Sequence, residues 1–381
     1  MMKIFKLNIF RTFILLIFLV PVLPRAFIDY FYIIIFGLSL IIMWPSMRYL
    51  NKINFKIVSI TILIILFSVM NFLIYSISIS AVSRFIQLMM CVSVLLATAN
   101  YNWSFNDILY VKNIIRWLIV ITTVLWIFYG FTIKEYFLLF ANPNCLGGAA
   151  FCYIALLFIL SKRLKRIDIC CVWLALFLAL ISGSRSALMS ILIFLVGKIV
   201  FSQFEKGALN YRWCFWCVLI IVIAIPVTYL YLYNSPYMEE LNILSIKYFR
   251  KNFFSGRQAL WGRTMEFIKQ HLFLGNGMGV TLQLLFGESR SAHNWYLQVL
   301  LQMGVIGLVI LLDWIAGIWN ALYDNRRNNI SRGASAFLIG VLVWQCFEVS
   351  ITQNNLPLGI AVWVILGIGI SGNKIESVLY S

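Results

Sequence analysis

Apolar runs of about 17 to 25 residues recur from one end of this chain to the other, the length that carries a helix across roughly 30 Å of hydrocarbon. That feature narrows the fold to one class. Hydrophobic residues make up 62% of the 381 positions and charged residues only 11%. No soluble domain covers so much apolar surface with so little charge. The expectation is an all-α polytopic membrane protein, a single integral domain over residues 1–381. Twelve spans are expected, at residues 9–24, 27–44, 56–76, 84–99, 112–131, 144–161, 168–183, 185–201, 213–233, 294–319, 334–351 and 356–372. Pro21 and Pro24 are expected to close the first span and Pro226 to kink the ninth, because proline removes a backbone donor.

The basic residues give an orientation. With the N-terminus inside, the cytoplasmic segments hold 19 of the 30 cations. The short outer loops hold one each or none (Arg25, Arg84, Lys134, Arg185), as the positive-inside rule requires. Both termini are then cytoplasmic. The first apolar run ends in Val22-Leu23-Pro24-Arg25 without a small-x-small cleavage site, so it is expected to stay as a span. The net charge of +17 is accounted for by this anchoring, with anionic headgroups as neighbours and no nucleic acid implied. The eight cysteines lie in or beside spans, and Cys214-x-x-Cys217 has no second pair. They read as packing residues rather than as a metal or redox motif.

One loop departs from the pattern. Residues 234–292 form a segment of 59 residues, placed outside the membrane by the topology, and a loop of that length is expected to fold and to carry function. Within it Ser255 is expected to cap a helix over about residues 256–270, with Arg257, Trp261 and Thr264 along one side. Gly275-Asn276-Gly277-Met278-Gly279 then turns the chain. No strand precedes these glycines, so they read as a tight loop with exposed amides rather than a dinucleotide loop.

A few polar residues at the span ends could carry chemistry. His293, one of two histidines, stands where the long loop enters the tenth span. An imidazole, with an ordinary pKa near about 6.5, can act as a general base close to neutral pH. The alternative is an interfacial histidine paired to a backbone carbonyl. His271 reads as structural. Arg185, in Ser182-Gly183-Ser184-Arg185, sits between two apolar runs, where an arginine is costly unless it snorkels, pairs or faces a wet cavity. Its planar fork suits phosphate, and a topological anchor is the other reading. Arg257 can add its charge to the positive end of the loop helix to hold an anion, or be a solvated helix-face charge. Arg84 is a weaker candidate of the same kind. Asn142 and Asn144 flank Pro143 and could donate to a sugar, or simply start a helix. Glu348 and Asp313 are intramembrane acids, too isolated for an ion pathway. No Walker sequence, acidic metal-transferase pair or metal-ligand histidine cluster is present, so the chemistry expected is base plus arginines, without metal or cofactor.

Taken in order, Ala141-Asn142-Pro143-Asn144, Ser182 to Leu188, Ser255-Gly256-Arg257 with Leu260-Trp261, Gly275 to Gly279, Ala292-His293-Asn294-Trp295-Tyr296-Leu297 and Gly304-Val305-Ile306-Gly307 resemble the O-antigen polymerase and ligase superfamily of bacterial envelope enzymes. The motifs cover roughly residues 140–310; the first four spans carry none. The resemblance implies a metal-independent, inverting transferase of undecaprenyl-diphosphate-linked glycans in the bacterial inner membrane, its active site facing the periplasm. It implies His293 as the base that activates the acceptor hydroxyl, with Arg185 and Arg257 clamping the donor diphosphate. Arg84, Asn142, Asn144, Asn294 and Trp261 are the implied substrate-binding residues. The expected partners are the lipid-linked oligosaccharide, the bilayer and a chain-length regulator. A polymerase, moving the growing glycan onto a lipid-linked repeat unit, is the favoured branch. A ligase, moving it onto lipid A core, is the alternative. The competing class, a lipid-linked glycan transporter or flippase, predicts repeated halves and matched broken helices, and neither is visible in the sequence.

Overall fold

A computed structural model describes residues 2–19, 25–43, 52–128, 140, 143–203, 211–249, 252–254, 256–288 and 291–380 of the chain. Helices dominate these residues, and no strand occurs among them. Each of the twelve expected runs overlaps a helix. The first five are α1 (Met2–Leu19), α2 (Arg25–Met43), α3 (Lys52–Tyr75), α4 (Ile79–Asn100) and α5 (Phe105–Phe128). Then come α6 (Pro143–Ile159), α7 (Arg166–Ile181), α8 (Arg185–Gln203) and α9 (Cys214–Tyr233). The long loop forms α10 (Met238–Phe249), α11 (Arg257–Gln270) and α12 (Leu282–Phe286). The chain ends with α13 (Trp295–Asp324), α14 (Asn329–Trp344), α15 (Leu356–Ile370) and the short α16 (Gly372–Tyr380).

By length and composition, six helices (α3, α4, α5, α8, α9 and α13) can each cross a membrane, or seven spans result if the bent pair α15 and α16 counts as one. Others, such as α6 and α14, are apolar but shorter. Pro226 lies inside α9; Pro21, Pro24 and Lys134 fall outside the described residues.

Side-chain bonds mark the two ends of the bundle. At one end Asp168, at the start of α7, accepts from Arg116 and Lys112 of α5, while Lys112 also reaches Ser161 just past α6. Lys198, late in α8, donates to Phe158 O, and Arg212 donates to Asn320 late in α13. Lys112 and Arg116 therefore lie within a helix that begins at Phe105, seven residues before the expected start of the fifth span. A buried carboxylate neutralises them there. At the opposite end lie Asn144, Arg185, Tyr229, His293 and the long loop. From α6 to α9, and again from α13 to α15, successive helices run alternately between these ends.

The loop has a core of its own, in which Phe254, Leu260, Trp261, Ile268 and Leu282 pack against Tyr229 of α9 and Leu297 and Leu301 of α13. It is also wired into the bundle through the backbone. α13 is broken at Gly304 (φ 64, ψ −168), a conformation essentially reserved for glycine. The break frees the carbonyls of Leu301 and Gln302, which accept from the amides of Asn276 and Gly277, while the amides of Val305 and Ile306 donate to Leu272 and Phe273. A Cβ on Gly304 would sit 2.3 Å from Phe273 O. The amide of Met278 donates to Asn71, and Tyr75 and Ser80 donate to the carbonyls of Gly275 and Gly279. The glycine segment thus joins the loop to the α3–α4 turn, and its amides at 276, 277 and 278 are bonded rather than exposed.

The eleventh expected span stops early. α14 ends at Trp344, and residues 345–355 run as irregular, mostly buried chain into α15. Gln345 replaces the missing helical bonds: its Oε1 accepts from the amides of Ser350 and Ile351, and its Nε2 donates to Ser350 Oγ. Its carbonyl accepts from the amide of Trp295. Buried backbone polar groups must find partners, and here a side chain supplies them.

Candidate active site

Three short pieces of sequence deliver charge to the cavity end of the bundle. Between α7 and α8 the chain reverses within Ser182, Gly183 and Ser184. Gly183 takes φ 60, and Ser184 Oγ accepts from the amide of Ala187 to start α8. This sets Arg185 on the first turn of α8. Its guanidinium donates to Ser245 Oγ of α10 and to Asn252 O, both at 3.0 Å.

Arg257 stands at the first position of α11. Gly256, in the left-handed conformation, occupies the cap position without a side-chain bond, so the cap expected of Ser255, which lies outside the described residues, belongs to the next residue. The expected side of α11 is the buried one, with Leu260, Trp261, Thr264 and Ile268 all inside. Arg257 donates to Phe347 O at 3.2 Å and lies over the Phe347 ring. Burial pulls its guanidinium below the ordinary arginine range, opposed by the negative charge of Glu348.

His293 is held from both sides. The indole N–H of Trp261 donates to Ala292 O at 2.7 Å, and Asn294 caps α13 by accepting from the amide of Leu297 at 3.0 Å. Between these fixed points His293 adopts φ 48, a left-handed conformation that costs energy in a non-glycine residue and recurs at functional sites. Its side chain remains 30% exposed, with Nδ1 3.8 Å from Glu348 Oε2.

Arg185, Arg257, His293 and Asn144 line one cavity of about 730 Å³. Its remaining wall is largely apolar, with Met189 of α8 facing Ile221, Ala224, Ile225, Thr228 and Leu232 of α9. The cavity therefore has a cationic, titratable end and an oily side between two helices. Such a space can take an anion joined to a long hydrocarbon chain, with an imidazole beside the anion.

The other expected residues fall elsewhere. Trp261 is fully buried and supports the His293 loop from beneath. Asn294 is fully buried as a helix cap, so its amide does not line the cavity. Arg84 borders a separate space of about 20 Å³ beside Met278, Gln302 and Gln353, and donates to Gln87. Asn142 lies outside the described residues. Asn144 reaches the cavity, but its amide donates to Glu348 Oε1.

Glu348 is the residue the sequence did not bring forward. It is 3% exposed and meets both His293 and Asn144 from the irregular segment after α14. Asp313, the other intramembrane acid, stays on the exposed side of α13. The separating signal was local: Gln345, Ser350, Thr352 and Gln353 surround Glu348 with more polar groups than a lipid-facing helix carries. Among the described residues no group of three or more His, Cys, Asp or Glu could hold a metal ion.

No curated protein matches the chain. Residues 170–312 match the family model described as O-antigen ligase, a stretch that runs from α7 through both arginines and His293 to the break in α13. Over that stretch the chain is similar to this family, in keeping with the O-antigen polymerase and ligase superfamily that its ordered motifs resemble.

Proposed function

We propose that this protein transfers a glycan from a polyprenyl-diphosphate donor to an acceptor hydroxyl at the outer face of the bacterial inner membrane, and that it acts as an O-antigen polymerase. One observation carries the reading: residues 185, 257 and 293, distant in sequence, converge on one cavity whose other wall is apolar. In this mechanism His293 takes the proton of the acceptor hydroxyl. The acceptor oxygen attacks the anomeric carbon in line with the bond to the diphosphate, which inverts the configuration. Arg185 and Arg257 hold the leaving diphosphate as it gains charge. Charge stabilisation by preorganised donors in a poorly hydrated site is commonly the largest catalytic effect. Both guanidiniums already bond to loop oxygens, so they are positioned before the substrate enters. The apolar wall between α8 and α9 receives the isoprenoid chain, and the donor enters sideways from the bilayer.

The second reading, ligation of the finished glycan to lipid A core, is favoured by the description of the matching family model. The donors are alike, and only the acceptor separates the two. A lipopolysaccharide gel from the host with this gene deleted decides between them. Core carrying a single repeat unit identifies a polymerase, because ligation survives while chain growth stops. Bare core, with long glycan stranded on the lipid carrier, identifies a ligase. An unchanged ladder in a host without a second copy rejects both.

A further inference from the structure

We propose that Glu348, held in place by Asn144, is a positioning residue that fixes which nitrogen of His293 acts as the base. The inference rests on the transferase reading of the same cavity and assigns a role to two residues which that reading leaves idle. Three observations carry it. Glu348 is buried yet accepts from Asn144 through Oε1, which leaves Oε2 facing His293 Nδ1 at 3.8 Å. Nδ1 is itself buried and has no hydrogen-bond partner among the described residues. The backbone of His293 is held in a left-handed conformation between two bonded neighbours, which fixes the Cα–Cβ direction from which the ring approaches Glu348.

A carboxylate facing Nδ1 selects the tautomer with the proton on Nδ1 and leaves Nε2 free to accept one. When the acceptor O–H breaks, its proton passes to Nε2 and the oxygen's electron pair forms the new bond to the anomeric carbon. The carbon–oxygen bond to the diphosphate breaks at the same time, and its electrons leave with the phosphate held by the arginines. Glu348 then faces the imidazolium and stabilises it. The 3.8 Å separation exceeds a hydrogen bond, and contacts of this kind commonly tighten only when substrate is bound. Arg257, from α11, and Arg185, from α8, both oppose a positive charge on the ring, and Tyr229 of α9 lines the same space. Glu348, buried behind the cavity lining and facing His293, is the carboxylate that offsets them.

The test is transfer by purified full-length protein in nanodiscs. The probe is lipid-linked oligosaccharide extracted from a host strain deleted for this gene, with rates followed across pH. Glu348→Gln is expected to lower kcat by about 100-fold or more while KM for the donor changes little. It is also expected to move the acid limb of the rate–pH profile down by about one unit, since the base loses the charge that favours its protonated form. Glu348→Asp should recover part of the rate, and Asn144→Ala should lower kcat in the same sense by about tenfold. Equal losses for Gln and Asp with an unmoved acid limb would reduce Glu348 to a structural role and overturn the proposal. If Glu348→Gln does not assemble, Asn144→Ala decides alone, and a kcat within about twofold of wild type rejects the idea. His293→Ala separates the two levels. An active His293→Ala protein, or a wild type that does not turn over this donor, sinks the transferase reading itself. An inactive one beside a fully active Glu348→Gln sinks only this inference.

Discussion

At the scale of single residues, the two arginines are not interchangeable with lysine. Arg257 uses one arm of its guanidinium on Phe347 O and lies over the Phe347 ring, and a planar fork can do this while presenting further donors to a phosphate. A lysine ammonium has neither the plane nor the reach for two directions at once. Arg257→Lys is therefore expected to lose at least about tenfold in transfer, although the charge is kept. Arg257→Ala and His293→Ala are expected to leave no measurable polymer, with the protein still inserted at wild-type level. The comparison is read on lipopolysaccharide gels with immunoblots of the membrane fraction. A normal ladder from any of the three would remove that residue from the proposed site. The reason for expecting normal insertion is also local. Each variant side chain lines an open cavity, so shortening it leaves no sealed void in the core.

At the scale of elements, the helices were legible because their cause is in the sequence: long apolar runs bounded by proline, glycine and basic clusters. What was not legible were the places where a helix stops for reasons supplied by another part of the chain. α13 breaks at Gly304 where residues 272–277 offer carbonyls to the amides of Val305 and Ile306 and amides to the carbonyls of Leu301 and Gln302. No window around Gly304 contains that information. α14 ends at Trp344, where the Gln345 side chain can satisfy two amides, although the expected span continues to residue 351. The same two irregularities explain the misses in the site. Arg185 and His293 could be singled out because they stand at span ends, where charge is conspicuous, and Arg257 because it opens the loop helix. Glu348 reads as isolated in the sequence, because it reaches His293 only once α14 has been cut short. The break at Gly304 makes a firm prediction. Gly304→Ala places a methyl group against Phe273 O and forces a positive φ on a residue that avoids it, a cost of about 1–3 kcal/mol from the backbone alone. A lower melting temperature in detergent than wild type is expected, together with faster proteolysis of the 234–292 loop. An unchanged melt and digestion pattern would mean that α13 runs straight through.

At the scale of the whole molecule, the sides of the membrane are set by where charge is held. The basic end gathers Lys112, Arg116, Lys198 and Arg212, the first two of which share the carboxylate of Asp168. The opposite end keeps Arg185 and Arg257 within the loop and cavity. The alternating run of the helices returns α15 to the basic end, where Asn325 and Ser331 donate to the carbonyls of Ile370 and Gly369. An even number of crossings puts both termini on one side, and both twelve and six are even; seven would separate them. On the positive-inside rule that side is expected to be the cytoplasm. Single cysteines added at Lys162 and at Gly287, in protein whose own cysteines are replaced, test this with a membrane-impermeant maleimide on intact spheroplasts. Labelling at 287 but not at 162, reversed in inverted vesicles, is the expected pattern. Labelling at 162 from outside would turn the molecule over and put the cavity in the cytoplasm. A donor presented at the outer face could not then reach His293, so this one result bears on the orientation and the chemistry together.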